Sequence, residues 1–304
     1  MARAMGVYDV KHKALISQGV GAFSKEFPMF YLILAIISSA LVSVVMRISQ
    51  RFTRNGMTLL ASNYVMCTAA AAFLAGSPIP TGEGSGLTIL LGCISGVLYL
   101  LGFVLLQYNI RRGGVVLPAT FQKLGVLVPT IAAITIFGET PRVTQLLGVG
   151  IAIGAILFMQ GRTGKAEMSN LLGLLASLLC GGVCGVMSKV FETWGNPAHG
   201  DCFLVFTFLV ATALSIGVCV AKKQSVTLPD VLWGLALGVP NYMSARFLLW
   251  ALKEVPAVVV YPTFSVGTII AVTVVGVLAF REKVGKRKLI ALGMILGALV
   301  LLNV

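Results

Sequence analysis

Apolar stretches of about 18 to 24 residues, each near the roughly 20 that a helix needs to cross a bilayer, recur from one end of this 304-residue chain to the other. A backbone in lipid finds no water to bond, so a spanning segment must be a helix or part of a closed barrel. Barrel strands alternate apolar and polar residues, whereas the stretches here are continuous. They predict helices near 28–47, 57–76, 87–109, 115–137, 143–160, 170–190, 203–221, 229–251, 256–280 and 287–303. Short connections rich in Gly, Pro and charge separate them, among them Gly76-Ser77-Pro78-Ile79-Pro80 and Trp194-Gly195-Asn196-Pro197. The expected fold is an all-α membrane protein of ten transmembrane helices.

Charge supports that class. Only 11% of residues are charged, against about 25% in an ordinary soluble domain. The net charge of +13 lies mostly in short loops, where anionic headgroups and the positive-inside bias account for it. No basic face interleaved with aromatics is present, which argues against nucleic acid as a partner. The six cysteines sit in or beside apolar runs without a CxxC, and His12 and His199 stand alone. No metal-ligand set is visible. A phosphate loop of the GxxxxGK[ST] type is also missing, so no nucleotide chemistry and no cofactor are implied. An intramembrane enzyme would need a nucleophile with its base, or a metal cluster, inside the spans; the sequence offers neither, and a non-enzymatic role is expected.

Residues 1–27 are polar and mixed, with Arg3, Lys11, Lys13 and Lys25, and read as an N-terminal extension. The odd-numbered connections hold 13 Lys and Arg, against 6 in the even ones and the termini. That count favours odd connections in the cytoplasm and both termini outside.

A shift of 143 residues lays 115–160 over 258–303 without a gap, with 11 of 46 positions identical. Thr120-Phe121 falls on Thr263-Phe264, Phe137 on Phe280, Glu139 on Glu282, and Gly150 and Gly154 on Gly293 and Gly297. Tyr99 lands on Tyr242, and at an offset one shorter Gly92 and Gly96 match Gly234 and Gly238. The chain therefore reads as two related five-helix units, 28–160 and 170–304. An odd number of spans per unit makes the second enter the membrane from the opposite side, the inverted-repeat design of secondary transporters with a substrate site near the midplane.

The recurring unit, with its Phe137-Gly138-Glu139 and Phe280-Arg281-Glu282 turns and Gly-rich closing helix, resembles the drug/metabolite transporter superfamily, its EamA-like branch most closely. The stretch from Ala251-Leu252 through Pro256, Tyr261-Pro262 and Phe280-Arg281-Glu282 to Gly297 is also similar to the last helices of small multidrug resistance proteins. The resemblance implies ten helices in two inverted bundles around a central cavity, carrying metabolites or drugs across a plasma membrane. One feature departs from it. Small multidrug resistance proteins carry a membrane-embedded glutamate on their first helix, and 28–47 and 170–190 contain no carboxylate.

Two cations fall inside predicted spans, Lys123 and Arg246. A charge at the bilayer centre costs about 2.5–3.5 kcal/mol on insertion scales, so such residues face a cavity or a partner. All ten Asp and Glu lie at span ends or in connections, which leaves carbonyls, water or an anionic ligand to meet these cations. Tyr242, Arg246 and Trp250 recur at i, i+4 and i+8 on one helix face, and Tyr99, Phe103 and Gln107 form the matching face of the other unit. Asn241 follows Pro240 at an expected helix break. Pro118, Phe121, Gln122 and Pro129, with Tyr261, Pro262, Thr263, Phe264, Ser265 and Thr268, complete the candidate lining, since a proline frees a carbonyl for bending or coordination. Arg47 and Lys189 end the first helix of each unit, where snorkelling to the interface accounts for them. The GxxxG pairs Gly150/Gly154 and Gly293/Gly297 permit close helix approach, within the bundle or across a homodimer. Glu139 and Glu282 are expected to cap or to pair with neighbours such as Arg142.

The function these features support is secondary transport, by alternating access, of a small polar or anionic organic metabolite such as an amino acid, in the export direction. A flippase for anionic lipid headgroups and a non-transporting membrane receptor or assembly protein are the alternatives. The expected partners are the solute and membrane lipid.

Overall fold

The structure is a computed structural model and describes residues 29–49, 51–75, 79–113, 125–160, 171–280 and 286–303. Among the described residues there are ten α-helices, one 3-10 turn and no strand. They are α1 (Phe30–Ser49), α2 (Gly56–Ala75), α3 (Ser85–Gly113), α4 (Leu127–Thr135), α5 (Val143–Gln160), α6 (Leu171–Trp194), the turn Pro197–His199, α7 (Gly200–Ala221), α8 (Leu228–Glu254), α9 (Ala257–Phe280) and α10 (Lys286–Asn303). The predicted span 115–137 is described only from 125 onward.

Large apolar side chains point outward in stripes at helical spacing: Ile33, Ile37 and Leu41 on α1, Leu90, Ile94, Val97 and Leu101 on α3, Leu172, Leu175 and Leu179 on α6. Continuous stripes of this kind belong in hydrocarbon rather than in water. Four helical segments among the described residues are long and apolar enough to cross a membrane: Gly56–Ala75, Ser85–Leu105, Leu172–Trp194 and Pro197–Ala221.

The helices pack mainly between the two halves of the chain rather than within them. α2 lies against α7 and α8, α1 against α8 and α9, α3 against α6 and α7, α4 against α6 and α9, and α5 against α10. Exchanging the first five helices for the second five returns the same set of pairs. Glycines show the same relation at atomic scale. A Cβ on Gly92 would meet Phe203 O and Phe206 Cβ, and one on Gly96 would meet Thr207 O and Val210 Cβ. In the other half, Gly234 faces Leu59 O and Ser62 Cβ, and Gly238 faces Asn63 O and Met66 Cβ. Each meeting distance is 3.0 Å or less, so only glycine lets these backbones approach so closely. Gly150, Gly154, Gly293 and Gly297 behave otherwise, having nothing within 4 Å of such a Cβ. The expected close approach therefore falls on the α3–α7 and α2–α8 seams, while α5 and α10 meet through Ile151, Ala155, Met294 and Ala298.

Helix direction follows from two end contacts. Buried Asp230, in the first turn of α8, accepts Arg54 N–H at 2.8 Å and Asn55 N–H at 3.3 Å, so α2 and α8 begin together. Exposed Arg51, Arg54, Lys222 and Lys223 make this the basic end. At the opposite end Asn196 Nδ2 donates to Glu83 O at 3.4 Å, and Thr88 Oγ1 lies 3.4 Å from His199 Nδ1, so α3 and α7 begin together there. Helices α2 and α7 thus run in opposite directions.

Candidate functional site

A cavity of about 250 Å³ lies between the halves. Its walls are Leu98, Tyr99, Gly102 and Phe103 of α3, Gly125 and Val126 ahead of α4, Gly181, Cys184, Gly185 and Ser188 of α6, Leu248 of α8, and Tyr261, Phe264 and Ser265 of α9. Glycine creates part of the space: a Cβ on Gly102 would meet nothing nearer than Cys180 Sγ at 3.8 Å. The lining combines aromatic rings with hydroxyls and has no charged side chain among the described residues. Tyr99 is fixed by its neighbours, its carbonyl accepting the Tyr64 hydroxyl at 3.3 Å and its ring meeting Phe208 edge-on at 5.6 Å. The Tyr261 hydroxyl donates to Gly185 O, joining α9 to α6 across the cavity wall.

Towards the opposite end the Phe137-Gly138-Glu139 turn becomes intelligible. Gly138 has φ +67°, a conformation that L side chains avoid and glycine adopts freely at a helix C-terminus. The chain reverses there and sends Glu139 back over α9. Its carboxylate oxygens accept the Ala257 and Val258 N–H groups at 3.2 and 3.0 Å, capping α9 at the positive end of its dipole. Glu139 Oε1 also lies 2.9 Å from Lys189 Nζ, which is 2.6 Å from Glu192 Oε2. The Phe137 ring sits 5.8 Å from the same ammonium. Lys189 is buried. It does not snorkel to the interface, because two carboxylates meet it where it stands. Glu139, expected beside Arg142, serves as cap and ion-pair partner across the two halves.

Arg246 also departs from expectation. Its Nη2 lies 3.0 Å from Asp201 Oδ2, its Nη1 donates to the Tyr242 hydroxyl at 3.0 Å, and its guanidinium covers the Trp250 ring at 4.6 Å. The cation is buried and already has a carboxylate; only its Nε lacks a partner among the described residues. The reason is a helix start. Asn196 Oδ1 accepts Ala198 N–H at 3.0 Å and opens the turn that leads into α7 at Gly200, ahead of the predicted 203. Asp201 is thereby in the first turn of α7 and reaches Arg246. In the same way α6 runs on to Trp194 and includes Glu192.

The expected lining residues divide into groups. Tyr99, Phe103, Tyr261, Phe264 and Ser265 line the cavity. Tyr242, Arg246 and Trp250 share one face of α8, as their spacing requires, and that face meets Asp201, Phe208 and Tyr31. Asn241 is drawn into the α2–α8 seam, where its Nδ2 donates to Asn63 Oδ1 at 3.1 Å and to Cys67 Sγ at 3.6 Å. Thr263 is buried, with its hydroxyl unpartnered among the described residues. Gln107 falls in α3, and its side chain lies outside the described part of the structure, as do Phe121, Gln122 and Lys123 entirely. The cavity adds Cys184, Ser188 and Leu248, for which the sequence held no signal. Asp201 and Glu192 were legible in principle, through Asn196-Pro197 as a helix-start signal and through the i, i+3 spacing of Lys189 and Glu192.

A chain whose described residues form helices and no strand, with outward apolar stripes, two matched halves and a cavity shared between them, has the make-up of a membrane transporter. Residues 27–160 and again 168–304 match the EamA-like transporter family. The chain belongs to that family, and is a multi-pass membrane protein of the drug/metabolite transporter type whose substrate is a small solute. It is 25% identical over 274 residues to an uncharacterized protein of Haemophilus influenzae, covering 85% of this chain and 92% of that one. Its fold matches a protein of known crystal structure with a TM-score of 0.72 at 15% identity, over 90% of this chain and 95% of the other.

Proposed function

We propose that this protein is a secondary transporter that exports a small polar organic metabolite of about amino-acid size across the plasma membrane, by alternating access. In this reading ten helices span the bilayer as two inverted five-helix units, 28–160 and 170–304, with the basic end in the cytoplasm. The observation that carries it is the cavity of about 250 Å³ walled by both halves. Sites for drug-sized ligands run to roughly 300–1,000 Å³, and a cavity near the lower end of that range suits a small solute. The matched packing pairs and the opposite runs of α2 and α7 support a rocking motion about the site.

The lining also speaks to the solute. Tyr99, Phe103, Tyr261 and Phe264 offer ring faces to an apolar or planar body, and Ser188 and Ser265 offer hydroxyls to a polar group. Since Asp201 already matches the charge of Arg246, the cation we assign to an anionic group on the solute is Lys123, two residues before Gly125 of the cavity wall. The test is solute counterflow in liposomes containing the purified protein, loaded in turn with amino acids and other small carboxylates. One solute should exchange saturably with the parent, and Lys123→Gln should weaken its apparent affinity. Exchange no faster than in empty liposomes for every solute would defeat the reading.

A further inference from the structure

The geometry points to Glu139, Lys189 and Glu192 as a releasable latch that closes the cavity at the opposite end, with the Lys189–Glu139 bond as the part that opens. This inference rests on the transporter reading above and names the gate of that same site. Glu139 belongs to the first half, Lys189 and Glu192 to the second. One helical turn inward from Lys189 is Gly185, whose carbonyl holds the Tyr261 hydroxyl, and Gly185, Ser188 and Tyr261 all face the cavity. The wall at that end therefore has two layers, a hydrogen bond and then an ion cluster, and both bind α6 to the α4–α9 pair. A solute leaving there must part these helices.

The cluster is built to part without stranding a charge. Leaving an unpaired ion in a buried place is strongly unfavourable, and a lone ammonium–carboxylate pair would strand two. Here each member keeps a partner when α6 moves away. Lys189 retains Glu192, three residues on in the same helix, at 2.6 Å. Glu139 retains the Ala257 and Val258 N–H groups. Only the 2.9 Å contact between Lys189 and Glu139 is lost. The ion cluster thus adds one charge-assisted bond to the Tyr261–Gly185 hydrogen bond that opening also breaks, a difference on the scale that a bound solute can outweigh.

Cys184 on the cavity wall gives a readout independent of transport. In the full chain with Cys67, Cys93, Cys180, Cys202 and Cys219 replaced by serine, a membrane-impermeant maleimide is applied from the opposite end in oriented vesicles. Lys189→Gln and Glu139→Gln should each label Cys184 about ten-fold faster than the parent, equivalent to shifting the closed–open balance by one bond. Glu192→Gln should label no faster than the parent, because it removes the partner that Lys189 needs when open. General loosening would speed all three alike, and that pattern would overturn the latch, as would parental rates in both Lys189→Gln and Glu139→Gln with unchanged thermal stability. Should Lys189→Gln fail to fold, Glu139→Gln decides alone with its thermal stability measured beside it, since a glutamine oxygen accepts only one of the two N–H groups at the start of α9. Labelling absent from both faces in every variant would defeat alternating access as well as the latch.

Discussion

Arg246 Nη2 and Asp201 Oδ2 meet at 3.0 Å between α8 and α7, but the two charges are unequally sheltered: the side chain of Arg246 is 11% exposed and that of Asp201 29%. Removing one member leaves the other unmatched, and the penalty grows with its burial. Losing Asp201 should therefore be the worse of the two changes.

Asp201→Asn is expected to destabilise the protein by about 3 kcal/mol and Arg246→Met by less, since removing one partner of a buried pair costs roughly 3–5 kcal/mol. The double variant Asp201→Asn with Arg246→Met should regain much of the loss, because an apolar replacement leaves no charge behind. Thermal melts of the four proteins in one detergent form the cycle. Equal losses in the two single variants, with simple addition in the double, would show that the pair is not coupled.

The two sets of paired glycines predict opposite outcomes. A Cβ on Gly96 would lie 2.4 Å from Thr207 O, a backbone atom that cannot turn aside. Gly96→Ala should lower stability by about 1–3 kcal/mol, as overpacking does, and Gly238→Ala should match it through Asn63 O at 2.6 Å. Gly154→Ala and Gly297→Ala meet open space and should be neutral, or stabilising by up to about 1 kcal/mol through helix propensity. Melting temperatures of the four variants check this directly.

The residues that were legible from sequence are those whose signal is periodic. Hydropathy located nine of the ten described helices to within four residues at each end, whereas α4 begins only at Leu127, after a turn at 125–126 inside the expected span 115–137; the offset that pairs Gly92 and Gly96 with Gly234 and Gly238 reappears as matched backbone contacts. What periodicity lacks is information on helix ends and on neighbours distant in the chain. A three-residue error at the start of α7 put Asp201 in a loop and made Arg246 look unpaired. Glu139 and Lys189 are 50 positions apart in sequence and no local pattern joins them; the left-handed turn at Gly138 does. The GxxxG pairs Gly150/Gly154 and Gly293/Gly297 make no close approach within the chain, because spacing alone cannot say which face of a helix meets a neighbour. The cavity wall shares this limit: Tyr99 and Tyr261 stood out as aromatics in apolar runs, whereas Cys184 and Ser188 look like ordinary packing residues until α3 and α9 are placed opposite them.

Filling the cavity should separate transport from folding. Gly102 lines it, and a Cβ there would contact only Cys180 Sγ, at 3.8 Å. A leucine at this position has room for its Cβ and would project its remaining carbons into the space where the solute is proposed to sit. Gly102→Leu also replaces a poor helix former with a good one, a gain of roughly 1 kcal/mol, and filling an internal void tends to stabilise rather than strain. Melting temperature should therefore hold or rise while saturable counterflow falls to the level of empty liposomes. A loss of exchange accompanied by a lowered melting temperature would indicate damage to the fold. Full exchange in a stable Gly102→Leu protein would mean that the solute takes a path through the protein that avoids this cavity.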